Sequence, residues 1–262
     1  MTFPTRLLAP LALASVIVLA GCSSSTDIAS PESSSPHWSY GGKGGPEHWD
    51  DLSPSFGDCD DVERQSPIDL PAQVPASTAH TVVALKAAAE GAATDTGHSE
   101  EFAPDQPVTT VTVDGAEYVM KQMHFHTPSE HTIAGRPAAA EFHFVHETAE
   151  GSRLVLAVLA QQGAPVHGMD QFLDAVDAHE KKPVALNFGE WLPAAGDYYA
   201  YEGSLTTPPC TEHVKWMVLS TPVTLSANQL GRLEALHGAN ARPVNPVGDR
   251  RITGGRVEIE RR

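Results

Sequence analysis

The segment Gln122-Met123-His124-Phe125-His126, followed after 14 residues by Glu141-Phe142-His143-Phe144-Val145, constrains this chain more than any other feature. In an extended strand alternate side chains share a face. Gln122, His124 and His126 therefore point one way, and Met123 and Phe125 the other. In the second segment Glu141, His143 and Val145 share a face, with Phe142 and Phe144 opposite. If the two strands pair, or lie side by side in one sheet, three imidazoles converge and phenylalanines back them in the core. Three neutral His ligands plus one water form a catalytic zinc pattern. Neutral ligands leave the full charge of Zn2+ to polarise the water. Thiolates would quench that charge, and a fourth protein ligand would close the site. Gln122 and Glu141 lie on the right face to bond the second ring nitrogens. The alternative is that His124, His126 and His143 are ordinary interior or surface histidines.

The rest of the pattern is strand-rich. Segment 108–126 alternates for much of its length, and Asp114-Gly115 is a hairpin turn signal. Segments 141–146 and 153–160 read as strands, and the apolar run RLVLAVLA of the second reads as buried on both faces. Helices are few. Met169, Phe172, Leu173 and Val176 keep helical spacing within 168–180. Ser226 and Gln229 form a capping box, Leu230, Leu233 and Leu236 a stripe, and Gly238 a stop. The expected fold is mainly β with a few short surface helices (α+β). It is a single domain around a large central, mostly antiparallel twisted sheet.

Charge narrows the function classes. Lys and Arg number 17 against 33 Asp and Glu, a net charge of −16 in 262 residues. An acidic chain repels phosphate backbones, so no nucleic-acid partner is expected. No internal apolar run is long enough to span a membrane. At the N-terminus, Arg6 and the apolar run Leu7–Ala20 read as an export signal over 1–21. Its end, Leu19-Ala20-Gly21-Cys22, resembles the lipobox of bacterial lipoproteins. That resemblance implies cleavage before Cys22 and a lipid on its sulfur. Residues 22–36 are Ser-rich and read as a tether, so the domain is expected over 37–262. The expected location is the bacterial cell envelope, with the domain in the periplasm or on the outer face of the membrane. Lipid would be its only membrane contact. Two further cysteines, Cys59 and Cys210, suggest a disulfide in an exported chain, against two buried free thiols.

The run QMHFHTPSEH, then EFHFVH, closely resembles the α-class carbonic anhydrases. So do WSYGGKGGPEHW (38–49), QSPIDL (65–70), YEGSLTTPPC (201–210) and ARPVNP (241–246), in order along the domain. Thr127-Pro128 and the two cysteines beside QSPI and TTPP resemble the bacterial branch, in which Cys59 and Cys210 would be paired.

The resemblance implies reversible hydration of carbon dioxide to bicarbonate and a proton, by attack of zinc-bound hydroxide on the CO2 carbon. His124, His126 and His143 match the zinc ligands. Thr206 matches the threonine that orients the hydroxide, and Glu130 the carboxylate that accepts its hydroxyl proton. An ionised carboxylate can only accept, which fixes the donor direction. The Thr206 N–H would hold bicarbonate, or an anion or sulfonamide inhibitor, beside Thr207. Val145 follows from strand phase as part of an apolar wall for CO2. Val158, Leu205, Val214 and Trp216 join it by resemblance. His98 matches the proton shuttle and Tyr40 the aromatic that steadies the water chain. The chain has Thr96 where the family has Asn, and Ser99-Glu100-Glu101-Phe102 replaces an apolar alternation. The acidic pair is expected to raise the pKa of His98. A catalytically weak binding module on the same fold, or a zinc esterase, are the alternatives. Retention of all three His, Thr206 and Glu130 argues against a lost active site.

Overall fold

The structure is a computed structural model and describes residues 36–262 apart from 87 and 178–181. The expected signal segment, Cys22 and all of the tether but its last residue lie outside the described residues. Pro36–Arg262 is a compact unit.

The chain enters through three short 3-10 turns and a one-turn helix α1 (Trp49–Leu52). Strands β1 (Asp69–Leu70), β2 (His80–Leu85), β3 (Ala88–Asp95), β4 (Glu100–Pro104), β5 (Thr109–Val113) and β6 (Ala116–His126) follow. After the small β7 (Thr132–Ile133) and β8 (Arg136–Pro137) come β9 (Ala140–Glu147) and β10 (Arg153–Gln162). The remainder is α2 (Met169–Asp177), β11 (Lys182–Asn187), β12 (Ala195–Gly203), β13 (Val214–Leu225), α3 (Ala227–His237) and β14 (Thr253–Arg261).

Among the described residues, eleven strands form one sheet in the order β11-β3-β4-β6-β5-β2-β14-β12-β13-β10-β9, and β6 also pairs with β9. Pairing is antiparallel except at β10–β13 and β2–β14. The fold is thus mostly β, with a mixed but mainly antiparallel sheet. Asp114 and Gly115 join β5 to β6 with φ of 51° and 81°. Two left-handed residues match the twist of a two-residue hairpin, and glycine takes the second without strain.

The sheet separates two apolar clusters. One holds Phe125, Phe142, Phe144, Phe172, Phe188 and Trp191. Met169, Phe172, Leu173 and Val176 of α2 are buried in it. The other holds Ile68, Val155, Tyr199, Tyr201, Val214 and Trp216. Helix α3 begins with Ser226 Oγ accepting from the Gln229 N–H, and the Gln229 side chain accepting from the Ser226 N–H, at 3.1 and 3.2 Å. Gly238, at φ 66°, ends it.

Candidate active site

Strands β6 and β9 run antiparallel with His124 opposite His143, Phe125 opposite Phe142 and His126 opposite Glu141. This register fixes the two faces. The phenylalanines enter the large core, and the imidazoles enter the Trp216 side. Ring centroids of the three histidines are 4.6 to 5.1 Å apart. One ring nitrogen from each falls within 4.8 Å of the others, a group able to hold a metal ion.

The opposite nitrogens are all engaged. His124 Nδ1 lies 2.8 Å from Gln122 Oε1, and His126 Nδ1 lies 2.8 Å from the Asn240 carbonyl. His143 Nε2 lies 2.9 Å from Glu141 Oε1. Each partner is an acceptor, so each of those nitrogens carries the proton. The lone pairs left over are on Nε2 of His124, Nε2 of His126 and Nδ1 of His143. His126 Nε2 is buried and has no hydrogen-bond partner among the described residues. Burial pushes all three imidazoles down, His126 to about 4. They are therefore neutral near pH 7, the form that ligates a metal. The donor set fits a divalent zinc ion with an open coordination position.

Glu141 is itself held. The His131 N–H donates to its Oε2 at 2.8 Å, and His131 Nδ1 lies 2.6 Å from Oε1. Burial raises its pKa, but His131 and His143 outweigh it and hold the carboxyl well below the usual range. Beyond His131, Nε2 meets the Tyr201 hydroxyl at 2.7 Å, which donates to Ser66 Oγ at 2.9 Å.

Glu130 Oε2 sits 3.4 Å from His126 Nε2 and 4.0 Å from His143 Nδ1. Its Oε1 accepts from the Arg242 N–H at 2.9 Å. Burial pushes this carboxyl up to about 7, while His143, the Arg242 amide and the Thr206 hydroxyl pull the other way. Thr206 comes from a tight loop after β12. The Leu205 N–H donates to the Thr211 carbonyl, and the Cys210 N–H to the Thr207 carbonyl, both at 2.9 Å. A disulfide joins Cys210 to Cys59, with Cα atoms 5.1 Å apart. Arg242 spans the same region. Its guanidinium donates to Gln65 Oε1, the Ser66 carbonyl and the Cys59 carbonyl.

A cavity of about 480 Å³ opens on the imidazoles. His124, His143, Val145, Leu205, Thr206, Thr207 and Trp216 line it. Val214 is buried behind this wall in the same apolar cluster. Val158 is a correction. It pairs with Phe142 and is buried in the core on the far side of the sheet. Val155, opposite Val145, takes the wall position and lines the cavity.

His98 is half-buried and does not line this cavity. Its ring stacks on Trp38 with centroids 3.7 Å apart. Its carbonyl accepts from Asn240 Nδ2 at 3.4 Å. The expected rise in its pKa is also corrected. Burial, then His37 and His237, push it down, and only Asp95 opposes. Glu100 instead faces His237, with Oε1 2.8 Å from Nε2. Tyr40 packs edge-on against Trp38 and Trp49. Its hydroxyl is buried without a hydrogen-bond partner among the described residues.

Sequence reading missed His131 and Asn240. His131 stood beside Glu130 in the quoted motif, but nothing local showed that it clamps Glu141. Asn240 acts on His126 through a backbone carbonyl, which every residue possesses. Its side chain accepts from the Thr127 N–H and donates to the Phe125 carbonyl.

Residues 44–254 match the eukaryotic-type carbonic anhydrase family. A carbonic anhydrase of Pectobacterium carotovorum is 36% identical over 225 residues, covering 83% of this chain and 91% of that protein. The α-carbonic anhydrase of Thermovibrio ammonificans, solved with the inhibitor sulfanilamide, is 35% identical with a TM-score of 0.78. That match covers 84% of this chain and 100% of that one. The α-carbonic anhydrase of Photobacterium profundum is 36% identical with a TM-score of 0.72, over 85% and 100%. The chain therefore belongs to the eukaryotic-type, or α-class, carbonic anhydrase family and is an enzyme of that family.

Proposed function

We propose that this enzyme uses zinc, held by His124, His126 and His143, to interconvert carbon dioxide and bicarbonate. The observation that carries the reading is the arrangement of nitrogens. Three neutral imidazoles, His126 and His143 buried and His124 half-buried at the cavity, aim their unprotonated nitrogens at one point, and each is locked by an acceptor behind it. Zinc held by these three nitrogens would supply the Lewis acidity that provides a hydroxide nucleophile near neutral pH, a property of carbonic anhydrases in general rather than one deduced from this fold.

The chain's own residues do the rest. The Thr206 hydroxyl donates a hydrogen bond to ionised Glu130, so Thr206 Oγ1 accepts in turn from the attacking hydroxide. One hydroxide lone pair is thereby turned toward the apolar wall of Val145, Val155, Leu205 and Trp216. CO2 offers little to hydrogen bond, so a wall that excludes water is what holds it. The Thr206 N–H and Thr207 receive the bicarbonate oxygens, and the same groups would receive an anion or sulfonamide inhibitor.

Each hydration releases a proton. His98 is the proposed acceptor by its match to the family's shuttle, and its lowered pKa leaves the imidazole unprotonated and able to accept near neutral pH. Tyr40 is proposed to donate its unpartnered hydroxyl to the water chain that reaches it. The lipobox-like end at Cys22 supports export and lipid anchoring. The Cys59–Cys210 bond supports an oxidising compartment.

The test is zinc uptake by metal-free protein. Wild type is expected to bind a single zinc per chain with high affinity, and His143→Ala to lose most of that affinity. Equal zinc binding by both proteins would overturn the ligand assignment.

A further inference from the structure

We propose that Lys121 recruits anions to this active site, drawing bicarbonate and competing monovalent anions to the cavity mouth. The proposal rests on the carbonic anhydrase reading above.

It begins with a fault in the β6 ladder. Val119 pairs with Glu147 and Met120 with His146, but the next pair is Gln122 with Val145. Lys121 has no partner on β9. It is the extra residue of a bulge, a device that re-aims a side chain. The parity of the strand changes there. Tyr118 and Met120 face the large core before the bulge, and Met123 and Phe125 face it afterwards. Unbroken alternation from Gln122, His124 and His126 would put Lys121 into that core, where an ammonium is costly. The bulge instead leaves Lys121 exposed and lining the cavity with Gln122, His124 and His143.

Two other charged residues line the cavity, Glu147 and Arg153. They cancel, because Arg153 Nε donates to Glu147 Oε1 at 3.0 Å. Lys121 has no ion-pair partner among the described residues. The mouth therefore carries one uncompensated positive charge in a chain of net charge −16. At physiological salt, charges more than about 8 Å away are largely screened, so the near cation outweighs distant carboxylates. A cation acts on bicarbonate and leaves neutral CO2 almost unaffected, so Lys121 discriminates between the two carbon substrates.

The test uses the zinc-loaded enzyme with thiocyanate as the anion probe. Its affinity is read by calorimetry and as an inhibition constant against CO2 hydration. At low ionic strength Lys121→Gln is expected to weaken thiocyanate about threefold to tenfold, as for one partly screened charge at short range. The bicarbonate KM should rise with it. Lys121→Arg should stay within about twofold of wild type, and the Gln deficit should shrink as salt is added. Equal affinities for wild type and Lys121→Gln would overturn the proposal. So would a loss that Arg does not restore and salt does not reduce, which marks a packing role. A wild type that hydrates no CO2 overturns the functional reading instead. If thiocyanate affinity still depends on Lys121, the anion site stands.

Discussion

His124 and His143 face each other directly across the β6–β9 ladder, their ring centroids 5.1 Å apart and their planes at 89°. Neither ring is free to turn. Gln122 holds one from its own strand, and Glu141 holds the other from its own. Each strand therefore carries both a ring and its clamp two residues away, which the pleat puts on one face. His126 is the exception, because its clamp comes from Asn240, 114 residues later.

Glu141 accounts for the tautomer of His143. Replacing it with Gln keeps the shape and removes the charge. Zinc affinity of Glu141→Gln is expected to fall about 10- to 100-fold, the usual cost of losing a ligand's partner. Competition with a chelator checks it, and an unchanged affinity would show that the carboxylate does not tune the ligand.

Val155 and Val158 separate the wall from the core. Val155→Tyr should fill the CO2 side of the cavity and cut kcat/KM for hydration by more than about tenfold, with zinc content intact. Val158→Ala should leave zinc content intact and cost roughly 1–3 kcal/mol of stability through a cavity in the opposite core. Hydration rates and denaturant unfolding of the two variants check both. Reversed effects would put the wall on the wrong face.

That pair also shows where the sequence was silent. In β6 and β9 histidines alternate with phenylalanines, so the two faces were readable before any fold was known. In β10 every residue from Leu154 to Ala160 is apolar and buried. With no polar residue to mark a face, only the pairing of Val145 with Val155 sets the phase. The bulge at Lys121 was hidden for a related reason. A ladder fault depends on the partner strand, and β6 alone does not reveal it. The Asp114-Gly115 hairpin and the Ser226–Gln229 box were legible because their chemistry is local.

The disulfide closes 151 residues and holds the entry segment against the loop that carries Thr206. In the chain-entropy description such a bridge is worth about 4–5 kcal/mol. A Cys59→Ser, Cys210→Ser double variant is expected to melt roughly 10 °C or more below wild type. Calorimetry checks this, and an unchanged Tm would contradict it.

His237 makes stability depend on pH. Its pKa is raised from 6.5, chiefly by Glu100, so the folded chain binds that proton more tightly than the unfolded chain. The stabilisation is complete below 6.5 and is lost as pH rises through the higher folded value. The stability gap between wild type and His237→Gln should therefore be wider near about pH 6 than near about pH 9. Denaturant unfolding at both pH values checks it, and a gap that widens with pH would contradict the assignment.

The most direct test of the account is stopped-flow hydration of CO2 by zinc-loaded protein lacking residues 1–22, alongside Thr206→Val. The account expects rapid hydration by wild type. It expects a loss of about 100-fold or more in Thr206→Val at unchanged zinc content, the scale for removing one orienting hydrogen bond at the reacting group. A folded, zinc-loaded wild type with no hydration above background would contradict it.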